Sequence, residues 1–402
     1  MALARCTTLS TKAFRAGVQH RRHLHTTAAE LPGGFGDLFS AAVLERLLAD
    51  GGLRTTSARL VRAGKESALI DAGHADPGDR PGSAPFLSTE AVRAGLASGH
   101  TLVLRALHRY HPPLRRFTQA LSEDVGHPVR VNAFVTPPHS QGVDLHFDVQ
   151  DVFVLQIAGE KHWELRAQPL AHPLPSQAWF DVSASRRAEL AAASTPLDEL
   201  TLRPGDTLYF PRGTMHSPRT TDELSIHLTF AIPQITRHDL LTELVAVAGP
   251  GDEWLRESVS LAELEDDDQV ARATLRGLAQ RLAAAAESAN PADLLWAIRS
   301  RAFAEMPAEP VPVLPPTTPP RSLRVREGVR FRVVDDGDSL ALHGSGKRVR
   351  LPVEVRGALD ELRSTGTLDR GRWDEELTPP GAEQLVRVLT DIGLLTTGPV
   401  AR

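Results

Sequence analysis

The chain has 402 residues, 41% of them apolar and 24% charged, with a net charge of −5. These values allow two or three domains of globular composition and exclude a bulk electrostatic affinity for nucleic acid, so a nucleic-acid substrate is not expected. No apolar run approaches the roughly 18 residues of a membrane-spanning helix, and a single cysteine, Cys6, excludes an intrachain disulfide framework and zinc–thiolate clusters.

Residues 1–29 hold no acid and five Lys or Arg residues among many Ser and Thr. This reads as a disordered start or a targeting-like segment. The cysteine usage and the Ala/Arg/Gly/Pro bias point to a reducing, bacterial-type cytoplasm. The targeting alternative would place the protein in an organelle.

A mainly β domain is expected over residues 30–235. Phe39, Val43, Leu44 and Leu47 have helical spacing. Thr101–Leu104 reads as a buried strand, and Leu114, Phe117 and Leu121 predict a helix covering the sheet. From 129 to 232 strands dominate. Val129, Val131 and Ala133 alternate, and 152–157 is apolar on both faces, as in a sandwich core. His162–Leu165 and Thr207–Phe210 continue the set, with turns at 202–206 and at Arg212-Gly213, and Leu224–Ile232 closes it. This pattern predicts a jelly-roll or cupin barrel. Residues 167–200 read as a long insertion, helical near Ser185–Ala193, of the kind that carries substrate contacts at a barrel mouth.

Residues 236–306 change to helical periodicity, with one stripe at Leu240, Leu241, Leu244 and Val245 and another at Leu275, Leu278 and Leu282. Asn290-Pro291 starts a further helix. Residues 307–320 hold seven prolines and predict a stiff linker. Residues 321–402 predict a small sheet with two short helices, compatible with a winged helix. The arginines of that module are interspersed with acids and read as a solvated face.

The sharpest chemical signal is His146-Phe147-Asp148. In a strand, residues i and i+2 share a face, so both side chains can reach one ion, and His216 at the end of a later turn can supply a third ligand. Two imidazoles and one carboxylate suit Fe(II) with open coordination positions. The bland alternative is a polar barrel mouth without metal. His74-Ala75-Asp76 shows that the spacing arises by chance, there in a Gly/Pro/Asp loop. Only four lysines occur, and one of them, Lys161, follows the strand where a cation could hold an acidic co-substrate. Its alternative is a solvated turn lysine.

The ordered runs Asn132–Pro138, Ser140-Gln141-Gly142, His146–Asp148, Val152–Gln156, Gly159–Trp163 and Pro204–Gly213 through His216 closely resemble the JmjC-domain ribosomal oxygenases, or cupin-4 group. The resemblance covers most of 84–232 and implies a double-stranded β-helix followed by a helical dimerisation region and a winged-helix module, hence a homodimer. It implies an Fe(II)- and 2-oxoglutarate-dependent dioxygenase that uses O2 to hydroxylate a protein side chain, Arg or His, on a ribosomal protein. By the same resemblance His146, Asp148 and His216 are metal ligands. Lys161 pairs with the far carboxylate of 2-oxoglutarate, and Asn132 and His227 line the co-substrate pocket. Phe134, Gln141, Asp144 and Ala231 fall near the substrate. Phe134 and Ala231 replace a tyrosine and a small polar residue common in the family, and Asp144 is an unusual acid that would favour a cationic target. These departures leave a second reading open, a hydroxylase tailoring a peptide natural product. A third is a non-catalytic cupin binding module.

Overall fold

The alternating segments become two antiparallel sheets in the computed structural model, which describes residues 1–67, 73–74, 83–264, 268–311, 322–344, 346–369 and 377–397. The chain divides into two compact units, Met1–Ile235 and Thr236–Arg402. In the first unit the strands are β1 (Leu24–Thr26), β2 (Ala58–Arg62), β3 (Lys65–Ser67), β4 (Gly73–His74), β5 (Phe86–Leu87), β6 (Thr101–Leu104), β7 (Arg130–Thr136), β8 (His146–Phe147), β9 (Asp151–Ala158), β10 (Lys161–Arg166), β11 (Pro196–Leu202), β12 (Thr207–Phe210), β13 (Met215–Thr220) and β14 (Ser225–Ile232). One sheet runs β1-β12-β9-β14-β7-β6-β2-β3, the other β11-β10-β13-β8.

Strand parity decides what each face does. Leu102 and Leu104 of β6, Val131, Ala133 and Val135 of β7, Phe153 and Leu155 of β9, and Ile226, Leu228, Phe230 and Ile232 of β14 bury one face of the large sheet. They pack in a single cluster with Leu114, Phe117 and Leu121 of the helix Pro112–Val125. The opposite parity of β9, Val152 and Val154, packs with Trp163 and Leu165 of β10, Leu202 of β11, and Leu208 and Phe210 of β12. The central strand β9 is therefore apolar on both faces because both are covered, each such side chain contributing about 1.5–3 kcal/mol. The remaining inward positions, on β6, β7 and β14, are left to line a cavity.

Three expectations need correction. Residues 1–29 are not a disordered start. Leu3, Phe14 and Val18 are fully buried in the main cluster, and Phe14 stacks on Phe153 at 5.4 Å. Strand β1 pairs with β12. Two of the basic residues that suggested targeting, Arg5 and Arg15, are anchors. Arg5 grips Asp37 with two nitrogens, both at 2.7 Å, and Arg15 donates to the carbonyl oxygens of Glu123 and Asp124 at the end of the Pro112–Val125 helix, where cations are favoured. Charge composition misled because three apolar side chains outweigh it. The insertion is also shorter than 167–200: its last part is β11, paired with β10, although the helix Ala184–Ala193 lies where expected. Finally, β8 ends at Phe147, so Asp148 lies just beyond the strand.

The second unit opens with helices Arg237–Ala248, Asp268–Ser288 and Pro291–Phe303, the last capped by Asn290, whose side-chain oxygen accepts from the Ala292 amide at 2.9 Å. Residues 312–320 of the proline-rich stretch lie outside the described residues. The terminal module has strands β15 (Ser322–Val325), β16 (Phe331–Asp336), β17 (Ser339–Gly344), β18 (Lys347–Pro352), β19 (Thr367–Asp369) and β20 (Leu395–Thr397) in two three-stranded sheets, with helices Arg356–Thr365 and Pro379–Asp391. Leu323, Leu340, Leu359, Leu362, Leu385 and Leu389 form its core. Its arginines are not all a solvated face: Arg324 is 8% exposed and paired with Glu309 through two bonds of 2.6 and 2.7 Å. No described helix is long and apolar enough to cross a membrane.

Candidate metal centre

Strands β8 and β13 pair so that His146 lies directly opposite His216, the arrangement that brings two cross-strand side chains closest. Asp148 follows β8, where its carbonyl oxygen accepts from the Gly213 amide at 2.8 Å. Gly213 has φ of +84°, and a Cβ there would stand 2.6 Å from the Leu170 carbonyl oxygen. Only glycine makes the turn that delivers His216. The ligand atoms of His146, Asp148 and His216 lie within 4.8 Å of one another, and His216 Nε2 is 3.8 Å from Asp148 Oδ2. Among the described residues this is the one cluster of metal-ligating side chains.

Both imidazoles are fixed by backbone. His146 Nδ1 donates to the Asp144 carbonyl oxygen at 2.7 Å, and His216 Nδ1 donates to that of Thr214 at 3.0 Å. A carbonyl can only accept, so both rings carry their proton on Nδ1 and offer Nε2, the usual second-partner arrangement of metal-binding histidines. Burial, with His146 as a lesser cause, brings the His216 pKa down to about 4, so it is neutral and ready to ligate. Two imidazoles and a carboxylate would suit an iron(II) ion with open positions.

The cluster stands in a cavity of about 270 Å³. At the far end Lys161, only 2% exposed, begins β10, and its ammonium donates to Thr136 Oγ1 at 2.7 Å. That oxygen also accepts from Thr101 at 3.1 Å. Burial brings the Lys161 pKa down to about 7, and among the described residues no carboxylate neutralises it. This is a buried cation short of an anion, not a solvated turn lysine. His227 lines the same space. Burial first, and Lys161 second, hold its pKa well below the ordinary value, and its Nδ1 is buried without a hydrogen-bond partner. Asn132 lines the cavity too, while its Oδ1 accepts from the Ala106 amide at 3.0 Å.

Phe134 and Ala231 also line the cavity, and Phe134 lies flat on His227, rings 4.8 Å apart and 4° from parallel. Gln141 and Asp144 are not brought into it. Gln141 donates to Ser217 Oγ at 2.8 Å, and Asp144 is exposed, its carboxylate beside Gly64. The sequence reading missed Thr136 and Thr101, although Thr136 follows Asn132 and Phe134 at the same strand parity. It also missed Phe180, 58% exposed in the insertion with its ring 5.9 Å from that of His146. No sequence periodicity marks that position.

A protein-family model described as the JmjC domain matches residues 106–240, the span holding all of these ligands. The chain carries a JmjC domain. Part of the chain is similar to ribosomal oxygenase 2 of Bos taurus, 36% identical over 196 residues that make up 44% of this chain and 40% of that protein. It is also similar to the bifunctional lysine-specific demethylase and histidyl-hydroxylase of Drosophila mojavensis, 35% identical over 34% of this chain and 15% of that protein. The chain thus spans less than half the length of these curated relatives. Among solved structures, the ribosomal oxygenase YcfD from Escherichia coli in complex with cobalt and 2-oxoglutarate aligns with 97% of this chain and 99% of its own, at 18% identity and a TM-score of 0.55. That likeness is one of fold: a YcfD-like fold covers nearly the whole chain, with the JmjC/cupin domain as its mainly β part.

Proposed function

We propose that the protein is an Fe(II)- and 2-oxoglutarate-dependent dioxygenase that hydroxylates a protein side chain, with a ribosomal protein as substrate and Arg or His as the target class. One observation carries this reading: a His146–Asp148–His216 cluster and an unneutralised buried lysine share a single cavity. Iron and 2-oxoglutarate supply the oxidising chemistry, in which one atom of O2 enters a C–H bond while 2-oxoglutarate becomes succinate and carbon dioxide. The chain's own residues bind, orient and exclude water. His146, Asp148 and His216 hold the metal. Lys161, backed by Thr136, takes the far carboxylate of 2-oxoglutarate, and Asn132 and His227 line its path. Trp163 and Phe210, only 3% and 1% exposed, keep the inner wall dry. Phe134 and Ala231 face the space where the target side chain enters, with Phe180 at its mouth.

The names of the relatives and of the YcfD complex support the substrate class. Asp144, directed away from the cavity, supplies no reason to favour a cationic target. Exposed Leu241, Val245 and Val247 on the first helix of the second unit, and exposed Leu275 and Leu295 on the helices Asp268–Ser288 and Pro291–Phe303, support a homodimer built on the helical region. The terminal module fits a winged helix, and the single buried Cys6 fits a reducing cytoplasm.

The test is mass spectrometry of ribosomal proteins from cells with and without the gene. The reading expects one site that carries an added oxygen only when the gene is present, and whose modification is lost in His146→Ala. Unchanged ribosomal proteins, with a small peptide hydroxylated instead, would favour a tailoring enzyme, for which the loss of polar groups at Phe134 and Ala231 is the supporting observation.

A further inference from the structure

Asp151 opens β9 and is fully buried. Aspartate is rarely so placed without partners, because a carboxylate taken out of water must recover its hydration in hydrogen bonds. Three donors meet this one. Asp151 Oδ1 accepts from the Arg212 amide at 3.0 Å. Asp151 Oδ2 accepts from the Tyr209 hydroxyl and from His20 Nδ1, the latter at 2.7 Å. Burial first, and Asp151 second, raise the Tyr209 pKa well above its ordinary value, so the phenol keeps its proton and donates it. The Tyr209 oxygen in turn accepts from the His20 amide at 2.9 Å. His20 is thus held by side chain and backbone together. Its φ of +63° is a left-handed conformation, which a residue other than glycine keeps only where its surroundings over-determine it.

This network holds the turn at residues 211–214, and the same turn reaches two of the three metal ligands. The Gly213 amide donates to the Asp148 carbonyl oxygen at 2.8 Å, and the Thr214 carbonyl oxygen accepts from His216 Nδ1 at 3.0 Å. The Arg212 amide therefore lies one residue from the bond to Asp148 and two from the bond to His216. On the other side of the turn the Arg212 carbonyl oxygen accepts from Gln168 Nε2 at 2.5 Å. A hydrogen bond to a buried carboxylate is among the strong ones, so the Asp151 end is the firmer of the two. The sequence hides this role. Asp148 and Asp151 stand three residues apart, and nothing in their spacing separates a ligand from the residue that steadies its surroundings.

We propose that Asp151 is a positioning residue for the metal centre: its carboxylate fixes the turn that orients His216 and clasps Asp148, and it does so jointly with Tyr209 and with His20 of the N-terminal segment. The inference rests on the reading of His146, Asp148 and His216 as metal ligands. A role confined to tying down the N-terminal segment would leave the metal untouched, which separates the two by experiment.

The experiment titrates Co(II) into the full-length protein and follows the visible absorption of the bound ion, with urea unfolding measured alongside. Asp151→Ala should weaken Co(II) binding at least about tenfold, as loss of a group behind a metal ligand does, and should alter the absorption band in protein that is still folded. Asp151→Asn keeps an oxygen for the Arg212 amide and should bind within about threefold of wild type. Leu121→Ala, a core truncation on the far face of the large sheet, should lose stability and bind Co(II) as wild type does. Should Asp151→Ala fail to fold, Tyr209→Phe decides, because it keeps the ring and removes only the hydroxyl that steadies the carboxylate; a loss of about threefold or more is expected. Folded Asp151→Ala that binds Co(II) like wild type with an unchanged band would overturn the positioning role alone. So would Asp151→Asn binding no better than Asp151→Ala, Leu121→Ala losing as much affinity, or, in the fallback, Tyr209→Phe binding unchanged. Wild-type protein that takes up no Co(II) would overturn the metal-centre reading and this inference with it.

Discussion

Replacing Lys161 with methionine should make the protein more stable while removing its hold on 2-oxoglutarate. The native state brings the Lys161 pKa from an ordinary 10.5 to about 7, which at ~1.4 kcal/mol per pH unit is about 5 kcal/mol. The sign follows from proton binding. Below pH 7 both folded and unfolded lysine are charged, and the folded state carries the full cost. Between 7 and 10.5 the folded amine is neutral while the unfolded one still holds its proton, so stability climbs with pH. Methionine removes the cost and forfeits the bond to Thr136, about 1 kcal/mol. Relaxation around a buried charge reduces the remainder to about half, leaving a gain of ~2 kcal/mol. For a unit of this size that is a Tm rise of about 4–8 °C at pH 6, shrinking toward zero by about pH 9.5. Thermal denaturation at the two pH values without co-substrate reads this directly. A Lys161→Met variant less stable than wild type at pH 6, or a gain independent of pH, would refute the reasoning. The same argument predicts proton uptake when succinate or 2-oxoglutarate binds near pH 8, seen as a calorimetric heat that changes with the buffer.

Phe14→Ala should cost about 3–5 kcal/mol in urea unfolding, because the ring is fully buried against Phe153 and Tyr209; a change under 0.5 kcal/mol would show the N-terminal segment to be dispensable. Gly213→Ala should lose roughly 1–3 kcal/mol and weaken metal binding, measured by titration with Co(II), since the turn it makes carries the Thr214 carbonyl that orients His216. Asp144→Asn should leave succinate formation unchanged, because the carboxylate lies outside the cavity; a large loss would show that it reaches the substrate.

Most of the site was legible because strand periodicity carries it. Asn132, Phe134 and Thr136 on β7, and His227, Thr229 and Ala231 on β14, are the inward parity of strands whose outward parity is apolar, so the cavity is written in a β rhythm in which four of the six inward residues are polar. His146 and His216 were visible as residue types; their cross-strand register was not, since it depends on pairing far apart in sequence. Gln141 and Asp144 misled because proximity in sequence to a ligand does not give direction: Asp144 serves His146 through its backbone oxygen while its side chain faces away. The N-terminal segment was misread for a related reason. Its basic composition is plain, but the packing of Phe14 on Phe153 of β9 and Tyr209 of β12 is a tertiary event without local periodicity.

The most direct measurement is succinate formation from 2-oxoglutarate by protein loaded with Fe(II) under anaerobic conditions and then exposed to oxygen, beside His146→Ala. The account predicts turnover in the wild type, even uncoupled from substrate, and none in the variant. Wild-type protein that binds iron and yields no succinate, or a variant that yields as much, would contradict it.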